Sequence, residues 1–269
     1  MTRPIVISVA PVSGAGAAAE PAEVAREAVE SRAAGAALVH LHVRERDGRL
    51  TANPAVFQET IDLIRAQSDL IIQASTGGVS DLTIEERCVA LGLKNVEMSS
   101  LNSGSVNLGE AVYKNPFQEI KYVTRRCLET GVIPEVEVFE MGMVHNMFLV
   151  AEEMPLPQPL LFDIVLGHRG GCPATPKTLA LFSQYIPPEA LWSITQYGRE
   201  NDFSLLAAAL GLGACMVRIG FEDSNALSAT QKAARNAELV ARMAEVIRAM
   251  GFRVATPAEA REMFGLKQL

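Results

Sequence analysis

The chain alternates eight short apolar stretches with stretches of helical periodicity, and this alternation limits its possible folds more than any other feature. The predicted strands cover residues 5–10, 37–43, 70–76, 95–100, 132–139, 160–167, 191–197 and 215–221. The predicted helices include residues 21–35, 56–66, 84–93, 203–213 and 231–251. Eight strand–helix units within 269 residues match the count and length of a (β/α)8 TIM barrel. Since no linker or low-complexity tract divides the chain, we predict one barrel domain over residues 1–269.

An open, doubly wound sheet is the alternative α/β fold. That fold usually carries a glycine-rich G-x-G-x-x-G loop after its first strand, where it binds a dinucleotide. The segment after the first predicted strand, VSGAGAAAEP, matches this motif poorly. The sequence therefore favours the barrel.

Composition and charge exclude several classes of partner. The formal net charge is −7 and no basic run occurs, so we expect no nucleic-acid binding. No apolar stretch approaches the roughly 20 residues of a membrane-spanning helix, and the N-terminus is more typical of a first strand than of a signal peptide. The four cysteines are scattered without a CxxC pair, which is typical of reduced, mostly buried thiols in a cytoplasmic protein.

Six of the predicted strands end in unusually polar segments. These segments are HLHVRE, QASTGG, MSSLNSGS, PEVEVFE, VLGHRGG and VRIGFED. In a TIM barrel the active site lies at the carboxyl ends of the strands. One or two such polar ends could be explained by core hydrogen bonding, but six together predict a functional site at this end of the barrel.

Two of the chain's four histidines, His40 and His42, lie on the second predicted strand. Residues i and i+2 of a strand point to the same face, so the two imidazoles project together. A single strand histidine is usually a hydrogen-bonded core residue, but an HxH pair at a barrel strand end favours a metal site. Zinc is the natural candidate, since catalytic zinc sites use three protein ligands and an open position.

Carboxylates that could supply the third ligand occur on two other strands. Glu135 and Glu137 share one face of the fifth predicted strand. Arg218 and Glu222 are predicted to share one face of the eighth strand, with Asp223 just beyond. A carboxylate buried in a barrel mouth needs a cation or an ion-pair partner to offset its desolvation. Glu222 as a zinc ligand, beside Arg218 and Asp223, meets that requirement, although a solvated loop is the ordinary alternative for Asp223.

Three glycine-containing turns could approach a bound ligand closely. They are STGG (75–78), LNSGS (101–105) and GHRGG (167–171). Each alone is weak and could be an ordinary loop, but together they could line a cavity for a carboxylate or phosphate. Arg169 in the third turn could pair with an anion, although exposure to solvent is the default for an arginine.

In this order and spacing, the motifs resemble the β-keto acid cleavage enzyme family. The resemblance rests on HLHVRERDGR, STGG, NSGSVNLG, PEVEVFEMGMV, VLGHRGG and RIGFED, and extends to the closing ATPAEAREMFGL. It implies a zinc-dependent (β/α)8 barrel, usually a homotetramer. It also implies an acyl-transferring, retro-Claisen reaction in which a β-keto acid and acetyl-CoA give acetoacetate and a new acyl-CoA.

The resemblance also assigns roles to single residues. The implied zinc ligands are His40, His42 and Glu222. The implied substrate-binding residues are Ser75, Gly78 and Ser100, where Ser100 replaces a threonine of the relative. The implied catalytic residues are Glu137, Arg218 and Asp223. We expect Asp223 to be the general base that removes an α-proton, with Arg218 orienting it.

One position departs from the pattern of the family member that cleaves an aminated substrate. That relative has a glutamate after its first strand that binds the substrate ammonium, whereas Ala15 or Gly16 stands there in this chain. Arg169 is expected near the mouth of the site. Both features favour a β-keto acid with a neutral or anionic side chain.

Two other functions use the same motifs. Amidohydrolase-type zinc enzymes also carry HxH in a barrel, but on the first strand and with two further histidine ligands. Here HxH is on the second strand, and only His145, in a predicted helix, and His168 remain. A non-enzymatic barrel held together by zinc is the second alternative, but it leaves Ser75 and Asp223 without a role.

Overall fold

The computed structural model describes residues 2–13, 17–200 and 202–269. Ala15 and Gly16, one of which is expected at the position of the relative's ammonium-binding glutamate, lie outside the described residues. The strands, in chain order, are β1 (Pro4–Val9), β2 (Leu38–His42), β3 (Ile71–Ser75), β4 (Met98–Asn102), β5 (Val106–Leu108), β6 (Ala111–Tyr113), β7 (Ile133–Val138), β8 (Leu161–Leu166), β9 (Leu191–Gln196), β10 (Met216–Ile219) and β11 (Arg253–Val254).

Eight parallel strands close into a barrel, which confirms the predicted fold. Their order is β10-β9-β8-β7-β4-β3-β2-β1, and β10 pairs with β1 to close the ring. Each predicted strand coincides with one of these eight to within three residues at either end. The short β11 adds to the edge of β1 outside the ring.

Helices surround the barrel. They are α1 (Pro21–Ala34), α2 (Ala55–Arg65), α3 (Ile84–Arg87), α4 (Phe117–Thr130), α5 (Met141–Ala151), α6 (Pro176–Tyr185), α7 (Ser204–Leu212), α8 (Asn236–Ala249) and α9 (Pro257–Met263). Among the described residues, no helix combines the length and the apolar character needed to cross a lipid bilayer. All four cysteines are free thiols, and three of them are buried, as predicted.

The barrel interior is layered because side chains alternate along each strand. Residues such as Ile5, Ile7 and Val9 point outward and pack against the helices. The first inward residues of the strands, including Leu38 and Met216, form an apolar layer that is covered by Ala260 of α9 and by Phe264, which directly follows α9. The inward residues that follow are polar and buried; they include Ser8, His40, Gln73, Ser100, Glu135, Asp163, Ser193 and Arg218. Polar chemistry is therefore confined to the carboxyl-terminal half of the barrel.

Two predicted helices are shorter than expected. The predicted helix over 231–251 begins only at Asn236, because the Glu238 carboxylate accepts hydrogen bonds from the backbone N–H groups of Ala234 and Arg235 and so ends the preceding loop. The predicted helix over 84–93 is a single α-helical turn, α3, followed by a 3-10 turn at Val89–Gly92.

A β-hairpin that the sequence analysis missed lies between β4 and α4. Its strands, β5 and β6, pair antiparallel with Val106 opposite Tyr113. The hairpin follows the carboxyl end of β4, so it extends over the end of the barrel where the polar strand ends meet. It therefore contributes to the wall of the site.

Candidate active site

His40, His42 and Glu222 come together at the carboxyl end of the barrel. The two imidazoles project from one face of β2, as predicted, with ring centroids 5.2 Å apart. Glu222 Oε1 lies 3.2 Å from His42 Nε2 and 3.9 Å from His40 Nε2. One possible ligand atom from each residue lies within 4.8 Å of the others. Two imidazole nitrogens and a carboxylate oxygen are a donor set that suits zinc with an open coordination position.

The protonation states of these residues also suit a cation. Burial, helped by the positive charge of Arg218, lowers the pKa of His40 to about 3, so the imidazole is neutral near pH 7. Burial raises the pKa of Glu222, but the charges of His42 and Arg218 oppose it and hold that pKa well below its usual value. A metal ligand must offer a lone pair, which the neutral imidazole and the carboxylate both provide.

Glu222 reaches the site from a turn and not from a strand, which corrects the expectation that it shares a strand face with Arg218. The strand β10 ends at Ile219, and Gly220 follows with φ +141°. A Cβ at Gly220 would lie 2.7 Å from the backbone carbon and 2.8 Å from the nitrogen of Ala10. Only glycine allows this close passage and this backbone angle. The turn then brings Glu222 N within 3.2 Å of Ala10 O, which it donates to.

Arg218 binds three carboxylates at once. Its Nε and Nη2 donate to the two oxygens of Asp223 at 3.0 and 2.9 Å. Its Nη2 also donates to Glu222 Oε1 at 2.7 Å, and its Nη1 lies 3.4 Å from Glu137 Oε1. Burial raises the pKa of Asp223 to about 6 and that of Glu137 to about 7, against the opposing charge of Arg218. Carboxyl groups that titrate near neutrality are suited to proton transfer.

A cavity of about 690 Å³ opens above these groups. Its floor includes Arg218, Glu222 and Asp223, and the hairpin contributes Leu108 and Gly109 to its wall. The ring of His168 stacks on Tyr197 at the same mouth, with centroids 3.8 Å apart and planes 16° apart. The space is large enough for a small organic acid and part of a larger co-substrate.

The residues predicted to bind substrate lie at different depths. Gly78 lines the cavity with φ +131°, and a Cβ there would lie 2.5 Å from Leu50 Cδ1. Ser75 lies at the end of β3, and its Oγ accepts from the N–H of Gly77 at 3.1 Å. Ser100 is 1% exposed and lies behind Ser75, with 3.4 Å between their hydroxyl oxygens. Their roles toward substrate stay predictions.

Arg169 lies at the rim of the cavity and not among the buried groups. Its side chain is 80% exposed and forms an ion pair with Glu110 at 2.7 Å. A rim position agrees with the ordinary interpretation of a solvated arginine, and it still borders the cavity. A role for Arg169 in substrate binding therefore stays a prediction.

The remaining histidines do not complete an amidohydrolase-type site. His145 is exposed on α5, as its helical pattern predicts. His168 packs between Phe139 and Tyr197. Neither belongs to the group formed by His40, His42 and Glu222.

Two functional candidates were missed by the sequence analysis. Arg44 follows β2, is 6% exposed and lines the cavity; burial lowers its pKa, while Glu222 opposes that shift. Gln73 on β3 contacts His40 directly, with 2.6 Å between Gln73 Oε1 and His40 Nδ1. The period of two that placed His40 and His42 on one face also places Arg44 on that face, because Arg44 is two residues after His42 and four after His40.

Comparison with known proteins identifies relatives of this chain. A family model described as beta-keto acid cleavage enzyme matches residues 17–266. The 3-keto-5-aminohexanoate cleavage enzyme of Acetoanaerobium sticklandii is 38% identical over 248 residues, covering 91% of this chain and 90% of the relative. The 3-oxoadipate:acetyl-CoA acetyltransferase of Cupriavidus necator is 31% identical, covering 100% of this chain and 97% of the relative.

A solved structure is similar in fold. The ternary complex of ObcA with a C4-CoA adduct and oxalate superposes with a TM-score of 0.76 at 21% identity, covering 95% of this chain and 67% of that one. At that identity the likeness concerns the fold alone. The family model and the two relatives together confirm the resemblance carried by the motifs. The chain belongs to the beta-keto acid cleavage enzyme family.

Proposed function

We propose that this chain cleaves a β-keto acid with acetyl-CoA as co-substrate, giving acetoacetate and a new acyl-CoA. The class of enzyme follows from family membership, and two relatives are named as a 3-oxoadipate:acetyl-CoA acetyltransferase and a 3,5-dioxohexanoate:acetyl-CoA acetone transferase. The observation that carries the proposal is that His40, His42 and Glu222 lie together beside the Arg218–Asp223 pair. His42, Glu222 and that pair line one cavity.

We further propose that His40, His42 and Glu222 hold one zinc ion. The two imidazole nitrogens and one carboxylate support this choice, because three such ligands and an open position are typical of catalytic zinc. When bound, zinc acts as a Lewis acid that polarises the oxygens of the β-keto acid and so makes its C2 protons more acidic.

Asp223 is the base in this proposal. Its carboxylate removes a proton from C2, and the resulting carbanion attacks the thioester carbonyl of acetyl-CoA, so that a C–C bond forms and the CoA thiolate leaves. Arg218 holds both oxygens of Asp223 and so fixes the orientation of the base. Arg218 also opposes protonation of Asp223 in the resting enzyme.

The second half of the reaction returns the thiolate to the substrate. The CoA thiolate attacks the original keto carbon, and the bond between C2 and C3 breaks in a retro-Claisen step. The electron pair of that bond goes to C2, which takes up the proton held by Asp223. The products are acetoacetate, built from C1 and C2 of the substrate and the acetyl group, and the new acyl-CoA, so atoms and charges balance.

The charges of the cavity favour a substrate with a neutral or anionic side chain. Four arginines line the cavity (Arg44, Arg49, Arg169 and Arg218) against two carboxylates (Glu222 and Asp223). Arg218 is paired on the floor with Glu222 and Asp223. At the rim, Arg49 and Arg169 pair with Asp47 and Glu110, whose exposed carboxylates a substrate carboxylate could replace. A substrate carboxylate could pair with an arginine, whereas an ammonium would be repelled. Ser75, Gly78 and Ser100 are proposed to hold the β-keto acid itself.

A substrate panel tests this proposal. Purified protein is incubated with acetyl-CoA and 3-oxoadipate, 3-oxohexanoate or 3-keto-5-aminohexanoate, and acetoacetate is measured over time. We expect a higher kcat/KM for the dicarboxylic or the neutral acid than for the aminated one. Asp223→Asn, whose turnover is expected to be about 10²–10⁴-fold lower, serves as the low-activity control. A clear preference for 3-keto-5-aminohexanoate contradicts the substrate assignment, and no acetoacetate from any acid contradicts the proposed reaction.

The homotetramer implied by the family resemblance and the cytoplasmic location expected from the scattered cysteines stay predictions. Large apolar side chains exposed on the outer helices, Leu181 and Tyr185 on α6 and Leu212 on α7, support self-association. Light scattering coupled to gel filtration decides the oligomeric state. A mass of one chain contradicts the tetramer.

A further inference from the structure

A continuous chain of hydrogen bonds crosses the barrel interior beneath the proposed metal site. His40 Nδ1 lies 2.6 Å from Gln73 Oε1, and Gln73 Nε2 donates to Glu135 Oε2 at 2.7 Å. Ser193 Oγ contacts both Glu135 Oε1 and Asp163 Oδ1, the latter at 3.0 Å. Thr195 Oγ1 donates to Asp163 Oδ2 at 2.7 Å. Gln73 lies on β3, whereas Glu135, Asp163, Ser193 and Thr195 lie on β7, β8 and β9. The hydrogen-bond chain therefore links opposite parts of the barrel.

The residues of the hydrogen-bond chain are buried away from water. Gln73 and Ser193 are fully buried, and Glu135, Asp163 and Thr195 are 3%, 1% and 1% exposed. A buried polar atom without a partner is costly, so each contact must pair one hydrogen with one lone pair. The number of hydrogens that the two carboxyls must supply can therefore be counted.

The count places one proton on the Glu135–Asp163 pair. Ser193 has one hydroxyl hydrogen but contacts both carboxyls and, at 3.3 Å, the carbonyl oxygen of Phe162. The hydrogens of Gln73 Nε2 and Thr195 Oγ1 go to Glu135 Oε2 and Asp163 Oδ2. A further hydrogen at Ser193 must therefore come from one of the two carboxyls. Asp163 is repelled by both Glu135 and Glu137, so we assign the proton to Asp163 and leave Glu135 ionised.

The surrounding charges agree with one ionised and one neutral carboxyl. The titratable groups near the pair are Glu137, Arg218 and Cys215. The guanidinium of Arg218 is already engaged with three other carboxylates. Burial, with the added repulsion of Glu135, raises the pKa of Asp163 well above its usual value, and burial raises that of Glu135 as well. Two ionised carboxylates at this depth would lack a counter-charge.

We propose that Gln73, oriented by Glu135, is the positioning residue that fixes the tautomer of His40, and that Asp163 completes the chain as a neutral acid. Because Glu135 only accepts, the Gln73 amide turns its NH₂ group toward Glu135 and its oxygen toward His40. His40 Nδ1 must then carry the hydrogen, which leaves the Nε2 lone pair facing Glu222. A partner on the second nitrogen is the usual way to fix a metal-binding histidine. This inference rests on the metal site of the proposed function.

The tautomer of His40 can be measured without any metal. Two-dimensional ¹H–¹⁵N NMR of the metal-free protein, with His40→Gln to assign the ring, distinguishes hydrogen on Nδ1 from hydrogen on Nε2. We expect the Nδ1–H form in the wild type and in Asp163→Asn, since an asparagine amide donates to Ser193 and accepts from Thr195 as the neutral acid does. We expect a mixture of both forms in Gln73→Leu. The Nε2–H form in the wild type overturns the inference.

Zinc affinity provides the second measurement, by competition with a chelator. Gln73→Leu keeps the size of the side chain but removes the acceptor for His40, and loss of such a partner typically weakens metal binding about 10–100-fold. Gln73→Glu should restore most of the affinity, because a protonated glutamic acid can accept from His40 and donate to Glu135. Asp163→Asn should bind zinc within a few-fold of the wild type.

The outcomes separate this inference from the proposed function. Wild-type zinc affinity in folded Gln73→Leu, or a loss in Asp163→Asn as large as in Gln73→Leu, overturns the inference while the metal site stands. A wild-type protein that binds no divalent metal overturns the proposed site, and the tautomer measurement then still decides the arrangement of Gln73 and His40. Circular dichroism establishes that each variant is folded.

Discussion

At the scale of single residues, Arg218 organises the charge of the site. Its guanidinium holds Asp223 through two parallel bonds and still reaches Glu137 and Glu222. A lysine ammonium is a point charge and could not hold Asp223 in a fixed plane while contacting the other carboxylates. Because Glu222 Oε1 faces both Arg218 and His42, the same oxygen links the proposed base pair to the proposed metal ligands.

The role of Asp223 as the base predicts a specific loss of turnover. General-base catalysis typically contributes about 10²–10⁴-fold, so we expect Asp223→Asn to lower kcat by about that factor while zinc content stays at the wild-type level. Steady-state kinetics and metal analysis of the same preparation measure both quantities. Glu137→Gln is the matched control, since Glu137 also contacts Arg218. If Asp223→Asn keeps near wild-type turnover and Glu137→Gln loses it, Glu137 and not Asp223 is the base.

The proposed ligands predict that metal content depends on the histidines. We expect one zinc per chain in the wild type and a lower content in His40→Ala, without activity but with the fold retained. The fold should survive because the barrel buries a large core of its own. Elemental analysis and circular dichroism measure the two effects. Full metal occupancy in the double variant His40→Ala, His42→Ala would falsify the assignment, and unfolding of metal-depleted wild type would indicate a structural zinc instead.

At the scale of elements, the turn after β10 decides whether the site can form. Gly220→Ala adds a Cβ against the backbone of Ala10 at a φ of +141°. We expect a loss of about 2–5 kcal/mol in the free energy of unfolding, from the left-handed backbone angle and the overpacking together. Zinc affinity should fall too, because Glu222 is displaced. Chemical denaturation and zinc titration measure these changes.

Gly251→Ala is the matched control for this turn. Gly251 has φ +82°, but a Cβ there meets nothing within 4 Å. We therefore expect only the cost of the backbone angle, about 1–2 kcal/mol, with zinc affinity unchanged. Equal losses of stability in the two variants, with normal zinc binding in Gly220→Ala, would show that the close approach to Ala10 has no part in forming the site.

The elements that the sequence predicted correctly are those with a strong local pattern. The alternation of apolar residues gave the barrel strands, and the period of two placed His40 and His42 on one face. The hairpin was missed because β5 and β6 have only three residues each, too few for a pattern. The start of α8 was misplaced because a side chain, Glu238, ends the loop before it.

The contact between His40 and Gln73 depends on how β2 and β3 are aligned. In the barrel His40 pairs with Gln73 in register, and Ser100 pairs in the same way with Glu135. This register is a property of strand pairing between distant segments, which a single sequence does not contain. The same holds for the position of Asp163 opposite Ser193. The sequence could predict that His40, His42 and Glu222 come together, but not the network that supports His40.

At the scale of the whole molecule, the layered interior separates stability from function. The apolar layer at the amino-terminal end packs against α9, whereas the polar layer above it buries Glu135 and Asp163. Burying two carboxyls lowers stability unless a proton accompanies them. The barrel therefore tolerates this layer because its other parts are well packed, which is expected of a domain with a large core.

The neutral Asp163 predicts how stability changes with pH. A carboxyl whose pKa is raised in the folded state binds a proton on folding, so the unfolded chain holds fewer protons and stability falls as pH rises above about 4. Relative to Asp163→Asn, we expect the wild type to lose about 1.4 kcal/mol of unfolding free energy per pH unit until Asp163 ionises in the folded protein. Denaturant unfolding from pH 5 upward measures both proteins. Parallel curves for the two proteins would contradict the proton assigned to Asp163.

The central claim is that the chain transfers an acetyl group from acetyl-CoA to C2 of a β-keto acid and returns CoA to the original keto carbon. It is tested most directly by following the carbonyl carbon of acetyl-CoA into the products. Acetyl-CoA labelled with ¹³C at the carbonyl is incubated with unlabelled 3-oxoadipate and the zinc-loaded protein, and the products are identified by ¹³C NMR. The account predicts label at C3 of acetoacetate and none in the acyl group of the new thioester. Label in free acetate, or in the new acyl-CoA, would contradict it.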